Sequence, residues 1–226
     1  MEKRQLILIP GLLCDEAVWR HQIVHLQDLC RIHVPDFSNC RNLEEITSQI
    51  LDHSSETFML AGHSMGGWIA LEVLRRNPER ISQLCLLDTT GETDSPSVRE
   101  RRNQMIGDAR AGKIPEVIES IIQAFVIQKE VIPMIREMFL RNQGKFIFQE
   151  QLMLSRQECL SLVPDAPPSP LLIVGREDHA FSPFMMNLHR SMPSSSLEVI
   201  ENSGHMTTME QPEAVTSLMR SWILNS

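Results

Sequence analysis

The chain has 226 residues, 42% hydrophobic and 22% charged, with a formal net charge of −8. A chain of this length buries enough surface to stand without a disulfide or metal staple, and its composition excludes a disordered tail, a collagen-like fibre and a mucin-like stalk. The acidic balance disfavours a general nucleic-acid binder, which needs a basic face, and the absence of tyrosine removes phenol chemistry from the mechanistic options.

In chain order, Glu2-Lys3-Arg4 followed by Leu6–Cys14 has the outline of a signal peptide. The apolar run is short, however, broken by Pro10-Gly11 and followed at once by Asp15-Glu16, so it reads as a buried strand entering a loop. Further strands are expected at Arg31–Pro35, Thr57–Ala61, Leu84–Asp88, Leu171–Gly175 and Leu197–Ile200, with the first at Leu6–Pro10. Helical periodicity falls between them, at Glu16–Leu29, Leu43–Ser54, Met65–Asn77, Phe184–Arg190 and Pro212–Leu224. Short apolar runs alternating with amphipathic helices indicate an α/β fold with a parallel sheet.

From about Gly91 to Pro164 the rhythm changes. Helix-period stretches at Val98–Ala111, Pro115–Ile127, Val131–Asn142 and Phe146–Leu162 follow one another without a strand and end in the breaker cluster Pro164–Pro170. One domain over 1–226 is expected, with a helical lid inserted over 91–165 above the strand ends, where ligands bind in such sheets. No apolar run reaches the roughly 18–20 residues of a membrane span. The five cysteines are odd in number and lack the spacing of a zinc or redox pair, so free thiols in a cytoplasmic compartment are expected.

The chemistry concentrates at Gly62-His63-Ser64-Met65-Gly66-Gly67. This G-x-S-x-G lies between an apolar strand and a helix, the context of a nucleophile on a sharp turn. A serine hydroxyl needs a base, itself held by an acid. His205 follows the last strand after Gly204 and is the base expected. Asp178, Glu177 and Asp88 all stand at strand ends and compete as the acid. Two backbone N–H donors for an oxyanion are expected from Met65, directly after the nucleophile, and from Leu12 in the loop after the first strand; Pro10 has no N–H to give.

Together with Leu8-Ile9-Pro10-Gly11, Val174-Gly175-Arg176-Glu177-Asp178 and the run from Asn202-Ser203-Gly204-His205 to Glu210-Gln211-Pro212-Glu213, these segments resemble the α/β-hydrolase superfamily over nearly the whole chain. The resemblance implies a Ser64–His205–Asp178 triad, an oxyanion hole at Leu12 and Met65, a helical cap, and neither an organic cofactor nor a metal. It favours Asp178 among the three acids. Two departures stand out: Pro10-Gly11 replaces the usual His-Gly, and the antiparallel strands usual at the family's N-terminus are missing, so a sheet of about six strands is expected.

The function expected is that of a serine hydrolase acting on a small carboxylic ester or thioester, with no nucleic-acid or membrane partner. Ser64-Met65-Gly66-Gly67 suits a cofactor-free haloperoxidase or perhydrolase, or a C–C hydrolase or lyase, equally well; a non-catalytic ligand receptor is the remote alternative. Trp68, Arg156 and His179 are candidate pocket residues, and Arg136, Arg141 and Arg156 are candidates to meet a substrate carboxylate or phosphate. Met134, Met138 and Met153 are candidates for an apolar wall.

Overall fold

A computed structural model describes residues 3–159, 167 and 169–225. Six strands, β1 (Gln5–Ile9), β2 (Arg31–His33), β3 (Phe58–His63), β4 (Ile81–Leu87), β5 (Leu171–Gly175) and β6 (Ser196–Ile200), form one sheet in the order β2-β1-β3-β4-β5-β6. Every pairing is parallel. All residues of β1, β3 and β5 are buried, which explains why these segments read as continuous apolar runs rather than alternating ones.

Successive side chains still divide between two cores. Leu6, Leu8, Met59, Ala61 and Ile173 face one side, covered by α1 (Arg20–Leu26) and, after the short α9 (Thr207–Glu210), by α10 (Pro212–Leu224). Ile7, Ile9, Leu60, Leu172 and Val174 face the other, covered by α2 (Leu43–Asp52), α3 (Met65–Arg76) and α8 (Ser182–Ser191). The region expected to be helical from Glu16 opens as a 3₁₀ turn at Glu16–Trp19, capped by Asp15, and α1 ends at Leu26.

The strand order locates the site. The chain leaves β1 outward to β2, then crosses back to β3 on the other side of β1, which makes the β1/β3 boundary a topological switch point. The loop after β1 and the turn after β3 therefore meet at the carboxyl edge. They meet closely: a Cβ on Gly66 would stand 2.3 Å from the Ile9 carbonyl oxygen, and one on Gly62 equally near that of Gly66. Backbone packing of that kind admits no side chain at either position.

Between β4 and β5 run α4 (Pro96–Arg110), α5 (Ile114–Phe125), α6 (Ile132–Arg141) and α7 (Phe146–Leu154). α4 packs on α5 and α7, and α5 on α6. α7 is shorter than the helix expected over Phe146–Leu162. It stops at Leu154, where Arg156 turns into an ion pair with Asp94 and the Cys159 N–H donates to the Gly91 carbonyl at 2.9 Å. Residues 160–166 and 168, and with them parts of the expected lid and breaker cluster, lie outside the described residues. Among the described residues no helix is long and apolar enough to cross a membrane, and all five cysteines are free thiols.

Candidate active site

Ser64 occupies the turn between β3 and α3 with φ 55° and ψ −119°, a conformation that costs an L-residue of order 1–3 kcal/mol and persists only where the surroundings impose it. Here they do. The Ser64 N–H donates to Leu87 O at 2.9 Å, and the Thr89 hydroxyl donates to Ser64 O at 2.6 Å. The hydroxyl is lifted off the sheet edge at the head of a helix.

His205 Nε2 lies 2.8 Å from Ser64 Oγ, and its Nδ1 lies 2.7 Å from Asp178 Oδ2. With the Nδ1 proton donated to the carboxylate, Nε2 is left to accept the serine proton. Burial by itself would lower the His205 pKa. The Asp178 charge and hydrogen bond, helped by Asp88 and Glu210, oppose it and hold the imidazole above its ordinary 6.5. Phe181 and Phe125 pack tilted against the ring, with centroids 4.4 and 4.9 Å away, and Phe125 O accepts the His205 N–H at 2.9 Å.

The three acids separate by what they touch. Asp178 reaches His205, and its second oxygen accepts the Phe181 N–H at 3.3 Å, tying the carboxylate to the turn before α8. Glu177 accepts the Ser203 N–H at 2.9 Å and braces the loop that carries the histidine. Asp88, fully buried and at φ 46°, accepts the Gly175 N–H at 2.9 Å and pairs with the Thr207 hydroxyl at 2.5 Å. Burial and the nearby Asp178 charge hold its carboxyl well above the usual range. Asp88, Asp178 and His205 bring ligand-type atoms within 4.8 Å of one another, but the hydrogen bonds just described already engage them, so the trio reads as a proton-holding network rather than a metal cradle.

The loop after β1 lies against Ser64, since a Cβ on Gly11 would be 3.2 Å from Ser64 Cβ. Leu13, at φ 59°, donates its N–H to Gln149 Oε1 of α7 at 2.9 Å. Among the described residues the N–H groups of Leu12 and Met65 donate no hydrogen bond. The loop after β1 and the head of α3 thus each leave one backbone N–H uncommitted.

The model of the Alpha/beta hydrolase family matches residues 6–218. The chain belongs to the alpha/beta hydrolase family. A thermophilic esterase from Thermogutta terrifontis, solved with malate bound, superposes with a TM-score of 0.88 at 26% identity, over 99% of this chain and 90% of that one. A Bacillus subtilis protein named putative 2-succinyl-6-hydroxy-2,4-cyclohexadiene-1-carboxylate synthase is 27% identical over 80% of this chain and 70% of its own length. A pimeloyl-[acyl-carrier protein] methyl ester esterase of Vibrio vulnificus is 22% identical over 92% of this chain and 90% of its own. This chain is accordingly an enzyme of the hydrolase class.

In this hydrolase a cavity of about 480 Å³ opens over Ser64 and His205, walled by Leu12 and Phe181 and by residues of the inserted helices. Of the candidate pocket residues only Arg156 lines it. Trp68 is corrected to a core residue: it is 1% exposed and packs among the apolar side chains on the α2 and α8 side of the sheet. His179 is corrected to an exposed residue, because the turn that aims Asp178 inward leaves its neighbour facing water. Met153 lines the cavity, Met138 is core and Met134 is exposed. Arg136 pairs with Glu119, and Arg141 with Asp15, away from this cavity.

His63, beside Ser64 in the turn, supports the histidine loop. Burial pushes its pKa down to about 3, so the ring is neutral, and Nε2–H donates to His205 O at 2.7 Å. Gln149, Phe125, Phe181 and the Glu210 carboxylate are further supports that no local pattern marks for this role. Glu210 alone carried a signal, as part of the segment that follows Gly204-His205.

Proposed function

We propose that this hydrolase cleaves a small carboxylic ester or thioester through an acyl-enzyme on Ser64. The observation that carries the reading is the unbroken chain of hydrogen bonds from Ser64 Oγ through His205 to Asp178. Ser64 Oγ attacks the acyl carbon while its proton passes to His205 Nε2, and the carbonyl becomes an oxyanion held by the N–H groups of Leu12 and Met65. As the tetrahedral species collapses, the bond to the alcohol or thiol breaks and His205 returns the proton to that leaving group. A water then loses its proton to His205, attacks the acyl carbon and releases the acid, restoring the Ser64 hydroxyl. The inserted helices α4 to α7 act as a cap that supplies the cavity wall and keeps water from the imidazolium–carboxylate pair.

Stoichiometric labelling by a fluorophosphonate, with the adduct mapped to Ser64, tests the reading. Labelling elsewhere, or none in protein that turns over esters, overturns it. Lyase chemistry with the same three groups is the second reading, favoured by the 27% identity to a relative named as a synthase; it allows labelling but yields no alcohol from an ester panel.

The raised His205 pKa gives the reading a sign in pH. The base works only when neutral, so kcat/KM should rise with pH along an acidic limb whose midpoint lies above 6.5. Asp178→Asn removes the charge that opposes burial, so the midpoint should move down while kcat falls by about 10⁴-fold. A pH–rate profile of the variant that matches the wild type in both would assign the acid elsewhere.

A further inference from the structure

The chain leaves β1 through a tight turn. The Cys14 N–H donates to Gly11 O at 3.1 Å, which closes a four-residue β-turn with Leu12 and Leu13 at its corners. Leu13 has a φ of 59°, whereas Leu12 has no positive φ. A positive φ at the third position belongs to the type II turn, where glycine is the usual residue. A leucine there is strained, because its Cβ crowds the backbone. A type I turn, closed by the same hydrogen bond, would relieve that strain by rotating the Leu12–Leu13 peptide plane.

Side-chain packing does not decide between the two. Leu13 is fully buried in the core, but rotation of a rigid peptide plane between two α-carbons leaves the side chains in place. The backbone also has room. Leu12 lines the catalytic cavity, while Pro10 and Gly11 line a second cavity of about 1100 Å³. Asp15, just beyond the turn, accepts from Arg141 Nη2 and Asn142 Nδ2, both at 2.8 Å, which anchors the end of the loop without orienting the peptide.

Orientation comes from two hydrogen bonds on the plane itself. Cys14 Sγ, a weak donor, reaches Leu12 O at 3.3 Å. Gln149 Oε1, from α7, accepts the Leu13 N–H at 2.9 Å. Gln149 is 8% exposed, so little water competes for that N–H. In a type I turn the peptide would present its carbonyl side to Gln149 Oε1, acceptor against acceptor.

The turn carries the Leu12 N–H, which donates no hydrogen bond among the described residues, and its first residue abuts Ser64. We propose that Gln149 is a positioning residue for the oxyanion: by accepting the Leu13 N–H, it holds the strained turn in the form that presents the Leu12 N–H to the acyl oxygen. The inference rests on the ester-hydrolase reading of Ser64 and assigns part of the oxyanion hole's shape to a cap residue.

The test uses the full chain. Turnover of p-nitrophenyl acetate by the wild type reports the ester reading alone. The oxyanion is probed with a short alkyl trifluoromethyl ketone. Ser64 Oγ bonds to its carbonyl carbon, the hydroxyl proton passes to His205, and the carbonyl electron pair stays on oxygen, so the adduct carries the charge that the hole must hold. Gln149→Leu removes the acceptor. It should lower kcat for acetate by about tenfold to a hundredfold and weaken inhibition by the ketone by a similar factor. KM for acetate should stay within about twofold, and the acidic limb of the pH–rate profile should not move, because cavity and base are untouched. Gln149→Glu keeps an oxygen acceptor at the same reach, and should stay within about threefold of wild type in both quantities.

Equal ketone inhibition in wild type and Gln149→Leu overturns the assignment while leaving the ester reading intact. So do equal losses in the leucine and glutamate variants, or a displaced pH midpoint. Failure of the wild type to turn over acetate overturns both. Partial unfolding lowers apparent kcat but not the inhibition constant, so a small folded fraction suffices for the measurement. Should Gln149→Leu not fold at all, Gln149→Asn keeps the amide but draws it back by one methylene, and should show the same weakened inhibition. Wild-type inhibition in that variant refutes the assignment.

Discussion

Ser64→Ala is expected to lower kcat for a short-chain ester by about 10⁶-fold, since removing a nucleophile in such a unit costs nearly as much as removing all of it. Residual turnover should stay about 10³–10⁴ above water, because the oxyanion donors and the cavity survive. The fold should survive too. Alanine keeps the Cβ and inherits the same φ of 55°, so the thermal midpoint should move little. Ser64→Gly then provides a contrast: glycine adopts that conformation without penalty, and should be more stable than the alanine variant by about 1 kcal/mol or more. Esterase assays and thermal melts of the two variants separate the roles. Full activity in Ser64→Ala would dismiss the nucleophile, and a glycine variant no more stable than alanine would dismiss the strain.

The parts of the site legible in sequence are those fixed by local backbone sterics. Gly62, Ser64 and Gly66 announce themselves because a tight strand-to-helix turn, in which an added Cβ would stand 2.3 Å from a neighbouring carbonyl oxygen, has few other solutions. His205 and Asp178 are legible as types at strand ends; the residues alone leave Asp88 a rival, the family resemblance favours Asp178, and the fold adds that Asp178 hydrogen-bonds the imidazole. Both end central strands, and only the fold shows that Asp88 is spent on Gly175 and Thr207. Trp68 misleads because nearness in sequence to Ser64 says nothing about direction on a helix in which nearly every residue is buried. His179 misleads likewise, beside an acid whose turn points the other way.

Residues that act across long separations leave no local trace. Gln149 meets Leu13 from 136 positions away, and Phe125 meets His205 from the inserted helices. The cavity wall is similar: Asp94, Arg102, Glu150 and Arg156 read along the chain as ordinary charges of solvated helices, and become a buried neutral network only when α4 and α7 pack together. Periodicity marks which face of a helix is apolar. It does not mark which polar residues on the other face will be closed in by a neighbour.

Glu210 ties these long-range parts to the reacting ones, and its removal should lower both stability and rate. One oxygen accepts the N–H groups of Ile127 and Gln128 at 2.6 and 2.9 Å, where the chain leaves α5. The other accepts those of Gly204 and Met206 at 2.8 and 3.3 Å, on either side of His205. A single buried carboxylate thus satisfies four backbone donors and clamps the histidine loop to the helices above it. Glu210→Ala leaves all four unpaired and should cost about 3–4 kcal/mol. Glu210→Gln keeps one oxygen but turns an NH₂ toward two of the donors. It should lower the thermal midpoint by about 5–10 °C, and in the folded protein it should reduce kcat by about 10- to 100-fold, since a base displaced by a fraction of an ångström loses its alignment. KM for a short ester should hold, because the cavity wall remains. Assays well below the midpoint distinguish this from unfolding: a kcat equal to wild type there, with only the midpoint lowered, would make Glu210 a structural clamp and no more. The expected loss of rate in folded protein would instead mean that the inserted helices, through one carboxylate, help set the position of the catalytic base.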